Sequence, residues 1–240
     1  MSKILVTGDF HADWLTSGVP RYEDVCQAAH QTVRAAIEEN VDLYVFLGDL
    51  ADPDDPARVL RSLALAQMMA RELSRKKILS VWLSGNHDVI DDGSGHSVLT
   101  PMSAMGDPFI IQCDGPGTVS IPDSLADAIV LPYPPASNPY DPAEYVREVR
   151  RKGHKVKCVF GHMTAMSGIE EGEESREMNR GRGVEFPFAE CDPGWLLFQG
   201  HWHRRQTFRT GPYTVHIPGS LVRLNFGEEG HEPQFIIVEV

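Results

Sequence analysis

Asp9, His11, Asp49, Asn86, His87, Asp88, His162, His201 and His203 are the residues of this chain whose types and spacing carry chemistry. They sit in short strings: Gly8-Asp9-Phe10-His11, Gly48-Asp49, Gly85-Asn86-His87-Asp88, Gly161-His162 and Gly200-His201-Trp202-His203. Carboxylate oxygens, an amide oxygen and neutral imidazoles form a borderline-hard donor set that suits Mn²⁺, Fe²⁺ or Zn²⁺, and without a thiolate it suits soft metals poorly. Asp9, His11, Asp49, Asn86, His162, His201 and His203 make seven donors, a set for two adjacent divalent ions with the Asp49 carboxylate as bridge. Two ions about 3.5–4 Å apart can hold a bridging hydroxide as nucleophile and stabilise both the attacking and leaving oxygens of an in-line phosphoryl displacement. Phosphoryl displacement is the best use of such a site.

Nearly every donor comes just after a short apolar run: Lys3-Val6, Leu43-Leu47, Ile78-Leu83, Val156-Phe160 and Trp195-Phe198. That arrangement predicts strands whose ends converge on one site. Helices are predicted between them. Tyr22-Asn40 has a helical apolar stripe, a second helix opens on Asp55 as N-cap with Pro56 in its first turn, and a third runs from Asp141-Pro142 to Lys152 and stops at Gly153. Further strands are expected at Phe109-Gln112, Thr118-Ile121, Ala128-Leu131, Gln206-Arg209, Tyr213-Ile217, Leu221-Phe226 and Gln234-Val240, the later ones as a second sheet packed on the first. The hydrophilic stretch Gly168-Gly183 reads as a solvated surface loop.

Composition narrows the class. The 240 residues, 42% of them hydrophobic, are enough for one sizeable α/β domain, expected over 1–240. No apolar run approaches the ~20 residues that span a bilayer, and Met1-Ser2-Lys3-Ile4-Leu5-Val6 enters a strand without a leader-like segment, so a cytoplasmic location with no membrane association is expected. Cys26, Cys113, Cys158 and Cys191 form no C-x-x-C pair and read as reduced thiols. The formal charge of −12 argues against a protein that coats nucleic acid. It leaves a nuclease open, because two divalent ions would set the local field at the cleft.

Several residues have ordinary readings. His30, His96, His154, His216 and His231 lack a motif and read as structural or surface residues, Trp14 and Trp202 as packing residues. The basic cluster Arg147, Arg150, Arg151, Lys152, Lys155 and Lys157 reads as a solvated helix end. Asp88 is expected to orient His87, as carboxylates beside site histidines commonly do. Arg204 and Arg205, next to His203, are candidate phosphate contacts.

The five strings in their order resemble the motifs of the calcineurin-like metallophosphoesterases. That resemblance implies a four-layer α/β/β/α sandwich of two mixed sheets flanked by helices. It implies one metal held by Asp9, His11, Asp49 and His203, a second held by Asp49, Asn86, His162 and His201, and His87 on the scissile phosphate, where it would stabilise or protonate the leaving oxygen. The block Pro218-Glu229, then Phe235-Val240, with His162-Gly168, is similar to the end of the phosphoesterase domain of SbcD-type DNA repair exonucleases. DNA is then the expected substrate. Those nucleases continue into a capping domain and a segment that binds an SbcC-like ATPase partner, and this chain ends before both.

The chain also departs from that subfamily. Asp52 stands where such nucleases usually carry a histidine that helps position the phosphodiester, and Asp13 where they carry a glycine. Asp52 is therefore a candidate substrate-contact position at which a carboxylate would repel phosphate. Gly48-Asp49-Leu50-Ala51-Asp52 is also similar to cyclic-nucleotide phosphodiesterases of the superfamily, which keeps a small-molecule phosphodiesterase or phosphomonoesterase as the alternative.

Overall fold

Strand β1 (Lys3–Thr7) shows how the chain divides its apolar residues: Ile4 and Val6 face one core while Leu5 faces another. Successive side chains of a strand point to opposite faces, so a strand apolar at every position must be covered on both. The same alternation recurs in β4 (Leu43–Phe46), whose Leu43 and Val45 lie with Ile4 and whose Tyr44 and Phe46 lie with Leu5. The computed structural model describes residues 1–52, 55–90, 92–163 and 184–240. The Gly168-Gly183 stretch lies outside the described residues.

In the first sheet β1, β4, β5 (Leu79–Leu83) and β6 (Ile110–Cys113) run parallel, and β13 (Ile236–Glu239) pairs antiparallel with β1, Lys3 opposite Glu239. A small hairpin, β2 (Leu15–Thr16) and β3 (Val19–Pro20), follows β1. The second sheet has the order β11-β12-β10-β9-β8-β7, from β7 (Gly117–Ser120), β8 (Asp127–Leu131), β9 (Val156–Gly161), β10 (Leu196–Gln199), β11 (Gln206–Thr210) and β12 (Tyr213–Ile217). Its central strands β8, β9, β10 and β12 are parallel and its two outer pairs antiparallel, so both large sheets are mixed.

Three apolar clusters separate four layers. Helices α1 (Tyr22–Glu38) and α2 (Pro56–Arg75) bury Val25, Val33, Leu65 and Met69 against Leu5, Tyr44, Phe46 and Trp82 of the first sheet. Val6, Val45 and Leu83 meet Val130, Phe160 and Phe198 between the sheets. Ile129, Val159 and Leu197 pack on Val146 and Val149 of α3 (Pro142–Arg151). The four-layer sandwich expected from the sequence is the observed one, and each fully buried Leu, Val or Phe contributes roughly 1.5–3 kcal/mol to it.

Local signals behaved as expected at the helix starts. The carboxylates of Asp55 and Asp141 accept from the first-turn amides of α2 and α3, and Gly153 takes φ +78 just past the end of α3. Each such cap stabilises its helix by ~1 kcal/mol. The strand expected over Leu221–Phe226 is corrected. Glu228 accepts hydrogen bonds from Leu224 N (2.7 Å) and Asn225 Nδ2 (2.7 Å), which diverts this segment from a ladder, while Leu221 and Leu224 bury in the core beneath α1 and α2.

Candidate metal and catalytic centre

Parallel strands deliver their donors to one edge. Asp9 follows β1, Asp49 follows β4, Asn86 follows β5, His162 follows β9 and His201 follows β10, so all leave from carboxyl ends. Crevices at the carboxyl ends of parallel strands are the usual ligand position of open α/β sheets. The loops there are tied tightly. Asp9 N, His11 N and Ala12 N donate to the carbonyls of Gly48, Asp49 and Leu50 at 2.8, 3.0 and 2.8 Å. Between the sheets, His201 N donates to Asp9 Oδ1 at 2.8 Å.

The backbone is strained where the donors sit. Asp9, His11, Asp49 and His201 have φ of 52, 42, 59 and 80, a left-handed region that non-glycine residues rarely occupy. Each such residue costs on the order of 1–3 kcal/mol, and strain of this kind clusters at functional sites. Gly48 and Gly85 permit the crowding: a Cβ on Gly85 would lie 2.1 Å from Asp49 Oδ1, and one on Gly48 2.7 Å from His162 Nδ1.

The donor atoms converge in two groups. Asp9, His11 and His203 form one and Asp49, His162 and His201 the other, each with its ligand atoms within 4.8 Å of one another, and a third cluster of the same tightness, His11, Asp52 and His87, adjoins the first through His11. His11 Nε2 and His203 Nε2 face each other at 3.0 Å. Asn86 Oδ1 lies 2.9 Å from His162 Nε2 and 2.8 Å from His201 Nδ1, which adds the amide oxygen to the second group. Asp49 links the two: its Oδ2 is 3.7 Å from His11 Nε2 and 3.2 Å from His162 Nε2.

Divalent cations fit this set. Asp9 Oδ2, Asp49 Oδ2 and His201 Nε2 are buried without a hydrogen-bond partner, and such atoms are costly to hold unpaired. Two histidines are already oriented as a cation needs. The Nδ1 of His162 bonds the Leu47 carbonyl at 2.8 Å and that of His203 lies 3.2 Å from Glu228 Oε1, so Nδ1 carries a proton and Nε2 faces inward.

Burial and crowded charge shift the proton affinities of these donors. Burial, offset in part by His162, raises Asp9 from its ordinary value to about 7. Burial and the neighbouring His203 hold His11 well below the usual imidazole range, and burial with His162 pushes His201 down to about 3. Burial also disfavours a charged His162, yet the Asp49 carboxylate 3.2 Å away together with Asp9 outweighs it and raises His162 to about 9. Burial opposes the charge of Asp49 too, but His162 and His87 hold its carboxyl well below the usual range. Without cations, Asp9 and His162 keep protons that cations would displace.

His87 and Asp88 have different surroundings from those expected. The Asp88 carboxylate does not orient His87; it accepts from Gly85 N, Asp49 N and Leu50 N at 2.8 Å and Ala51 N at 3.2 Å, stapling the loop after β5 to the loop after β4. Asp52 takes the expected role, with Oδ1 2.7 Å from His87 Nδ1. Position 52 therefore acts on an imidazole rather than pointing a bare carboxylate at phosphate, which corrects the repulsion argument. The His87 backbone amide donates to Asp49 Oδ1 at 2.9 Å, and its ring centroid lies 4.9 Å from that of His11, beside the donor cluster.

Arg204 and Arg205 are exposed immediately beyond His203. Trp14 packs: its Nε1 donates to the Leu224 carbonyl at 2.9 Å while its ring meets His11 edge-on. Trp202 is buried against His201. The basic cluster on α3 is engaged with acids, Arg147 with Glu144 and Glu190, Arg150 with Asp192 and Lys152 with Glu148. His231 is buried, its Nε2 3.4 Å from the Ser220 carbonyl, and His154 pairs with Asp127 on the surface.

Sequence reasoning missed Glu228 and the Leu47 carbonyl. Glu228 lies in a block singled out for its resemblance, but nothing local marks a residue 25 positions from His203 as the partner of its ring. A backbone carbonyl leaves no sequence signal at all.

Comparison with known proteins agrees with this geometry. The profile of the calcineurin-like phosphoesterases matches residues 2–205. Among solved structures, a dimetal phosphatase from Danio rerio superposes with a TM-score of 0.62 at 10% identity, covering 98% of this chain and 91% of that one. A protein of Thermus thermophilus superposes with a TM-score of 0.55 at 13% identity, covering 91% of this chain and 89% of that one. At these identities the likeness speaks for the fold.

Proposed function

The chain belongs to the calcineurin-like phosphoesterase family, and from that premise we propose that it hydrolyses phosphodiesters, with residues 1–240 working as one domain around two divalent ions, Mn²⁺ first among them. One observation carries the reading: Asp49 Oδ2 lies between His11 Nε2 and His162 Nε2 of the two donor groups and has no hydrogen-bond partner. In it Asp9, His11, Asp49 and His203 hold one ion, and Asp49, Asn86, His162 and His201 the other. Such ions supply Lewis acidity, lowering the pKa of a water nucleophile and neutralising charge that builds on the phosphoryl oxygens.

The chain's own groups do the rest. Asp52 fixes the His87 ring through Nδ1, so the remaining nitrogen, Nε2, serves the substrate. A proton held at that nitrogen can pass to the leaving oxygen. Asp88 keeps the loops that carry Asp49, Asn86 and His87 in register through four backbone amides.

DNA is the substrate this reading puts first. Its support is the SbcD-like block Pro218–Glu229, which sits against the donor cluster: Ser220 N donates to the His203 carbonyl at 2.9 Å and Glu228 contacts the His203 ring. A small phosphodiester is the second reading, favoured by Asp52, which holds His87 where SbcD-type nucleases usually have a phosphate-positioning histidine. The test is the Mn²⁺-loaded protein on linear duplex DNA, single-stranded DNA, cyclic nucleotides and a bis-aryl phosphodiester. Release of nucleotides from DNA supports the nuclease; turnover of the cyclic or aryl diesters with DNA intact selects the second reading; no turnover of any diester overturns both.

A further inference from the structure

The loops after β1 and β4 run side by side, joined by the amides of Asp9, His11 and Ala12 bonding the carbonyls of Gly48, Asp49 and Leu50. The next rung is made by a side chain. Both oxygens of the Asp13 carboxylate accept from the Asp52 N–H, at 3.2 and 3.1 Å, and Asp13 is only 7% exposed. Asp52 in turn holds His87 Nδ1 at 2.7 Å. The Asp13 backbone is anchored as well, because Arg58 in the first turn of α2 donates Nη1 to its carbonyl at 3.2 Å and Nε to Asp55 Oδ2 at 2.9 Å. Asp13, Asp52 and Arg58 meet around one small cavity of about 210 Å³, whose other walls are Trp14 and Leu15.

We propose that Asp13 is a positioning residue for the hydrolysis: by holding the Asp52 amide it fixes the Asp52 carboxylate, which fixes the His87 imidazole at the leaving oxygen. The proposal rests on the reading of His87 as proton donor. A backbone amide tied by two carboxylate oxygens cannot swing, and the Asp52 side chain starts one bond from that amide. Charge-assisted hydrogen bonds are about twice as strong as neutral ones, so Asp13 constrains Asp52 more firmly than the glycine usual in SbcD-type nucleases could.

The reaction step shows what misplacement would cost. As the P–O bond to the leaving alcohol breaks, a water oxygen bonds to phosphorus and the leaving oxygen takes the His87 proton. The proton lost by the water returns to His87 through solvent, so the proton donor is restored. An alkoxide leaves poorly without that proton. A nitrophenolate leaves readily without it.

The experiment compares the ethyl and 4-nitrophenyl esters of one nucleotide, using the full chain loaded with Mn²⁺. Asp13→Ala is expected to lower kcat about tenfold more on the ethyl ester than on the nitrophenyl ester, with KM and metal content held. Asp13→Asn, whose amide oxygen still accepts from Asp52 N, is expected to recover most of the loss. Should Asp13→Ala not fold, Asp13→Glu keeps the charge but displaces the acceptor by one methylene, and the same leaving-group selectivity is expected from it. Equal losses on both esters, or an Asn variant as deficient as the Ala variant, overturn the proposal. His87→Ala separates the two levels: no leaving-group selectivity there removes the proton-donor reading itself, whereas selectivity in His87→Ala with none in the Asp13 variants removes only the role of Asp13.

Discussion

Asp52 Oδ1 lies 2.7 Å from His87 Nδ1, and this contact ties the loop after β4 to the histidine of the loop after β5. The Asp52 side chain is 19% exposed and that of His87 6%, so the pair is shielded from solvent on most sides. A pair so placed is screened less than one on the surface.

Asp52→Asn should therefore lower kcat by roughly tenfold or more, since the amide keeps a hydrogen bond to His87 but loses the charge that strengthens it. Asp52→His should also lower it on every diester, DNA included, because two imidazoles replace an acid-base pair. Metal content measured by elemental analysis should stay unchanged in both. A gain of DNA cleavage in Asp52→His would show that position 52 contacts phosphate directly.

His87→Ala should cut turnover by roughly 10²- to 10⁴-fold, the range for a lost acid-base group. Its metal content should match the parent protein, because the His87 ring is engaged through Nδ1 by Asp52, although the two also stand with His11 in a cluster of metal-ligand spacing. Loss of an ion in this variant would reassign His87 as a ligand.

The sequence made the donors legible because each follows its own apolar strand, and parallel strands bring their carboxyl ends to one edge. Asp9 and His201, bonded at 2.8 Å across 192 residues, were found by that logic alone. What stayed hidden depended on side chains reaching between loops. Asp88 follows His87 directly, which favoured a pairing by adjacency, yet its oxygens are taken by four amides from two loops. The apolar run Leu221–Phe226 read as a strand because Leu221, Leu224 and Phe226 look like core residues. It is instead held by Glu228, whose contacts to Leu224 N and the His203 ring no periodicity reveals.

Glu228→Ala should weaken one metal site more than the other. Removing the acceptor of His203 Nδ1 frees both the tautomer and the ring orientation, a change that typically costs 10- to 100-fold in metal affinity. Calorimetric titration of Mn²⁺ into the metal-free variant should show one class of sites weakened by about that factor, with Glu228→Gln between variant and parent. Two unchanged binding constants would remove Glu228 from the support of His203.

Chelation should abolish activity, and readdition of Mn²⁺ should restore it with about two ions bound per chain. Asp49→Asn, with a weaker donor at the shared oxygen, should lower occupancy of both sites rather than one, as elemental analysis would record. Full retention of either ion would mean that Asp49 does not bridge.

The stabilisation conferred by metal should grow with pH. Asp9 is raised from its ordinary 3.8 to about 7 and His162 from 6.5 to about 9, so the metal-free fold binds both protons more tightly than the unfolded chain does. A group whose folded pKa is raised contributes stability below its ordinary value and loses it as pH climbs through the folded value. The metal-free protein should therefore lose stability from Asp9 between about pH 4 and 7, then from His162 up to about pH 9. Cations need both groups deprotonated, so their advantage widens over the same window. Thermal melting with and without Mn²⁺ at a series of pH values should show a shift in Tm that rises through neutrality. A metal-induced shift that is constant or shrinks as pH rises would mean that Asp9 and His162 do not release their protons to a cation.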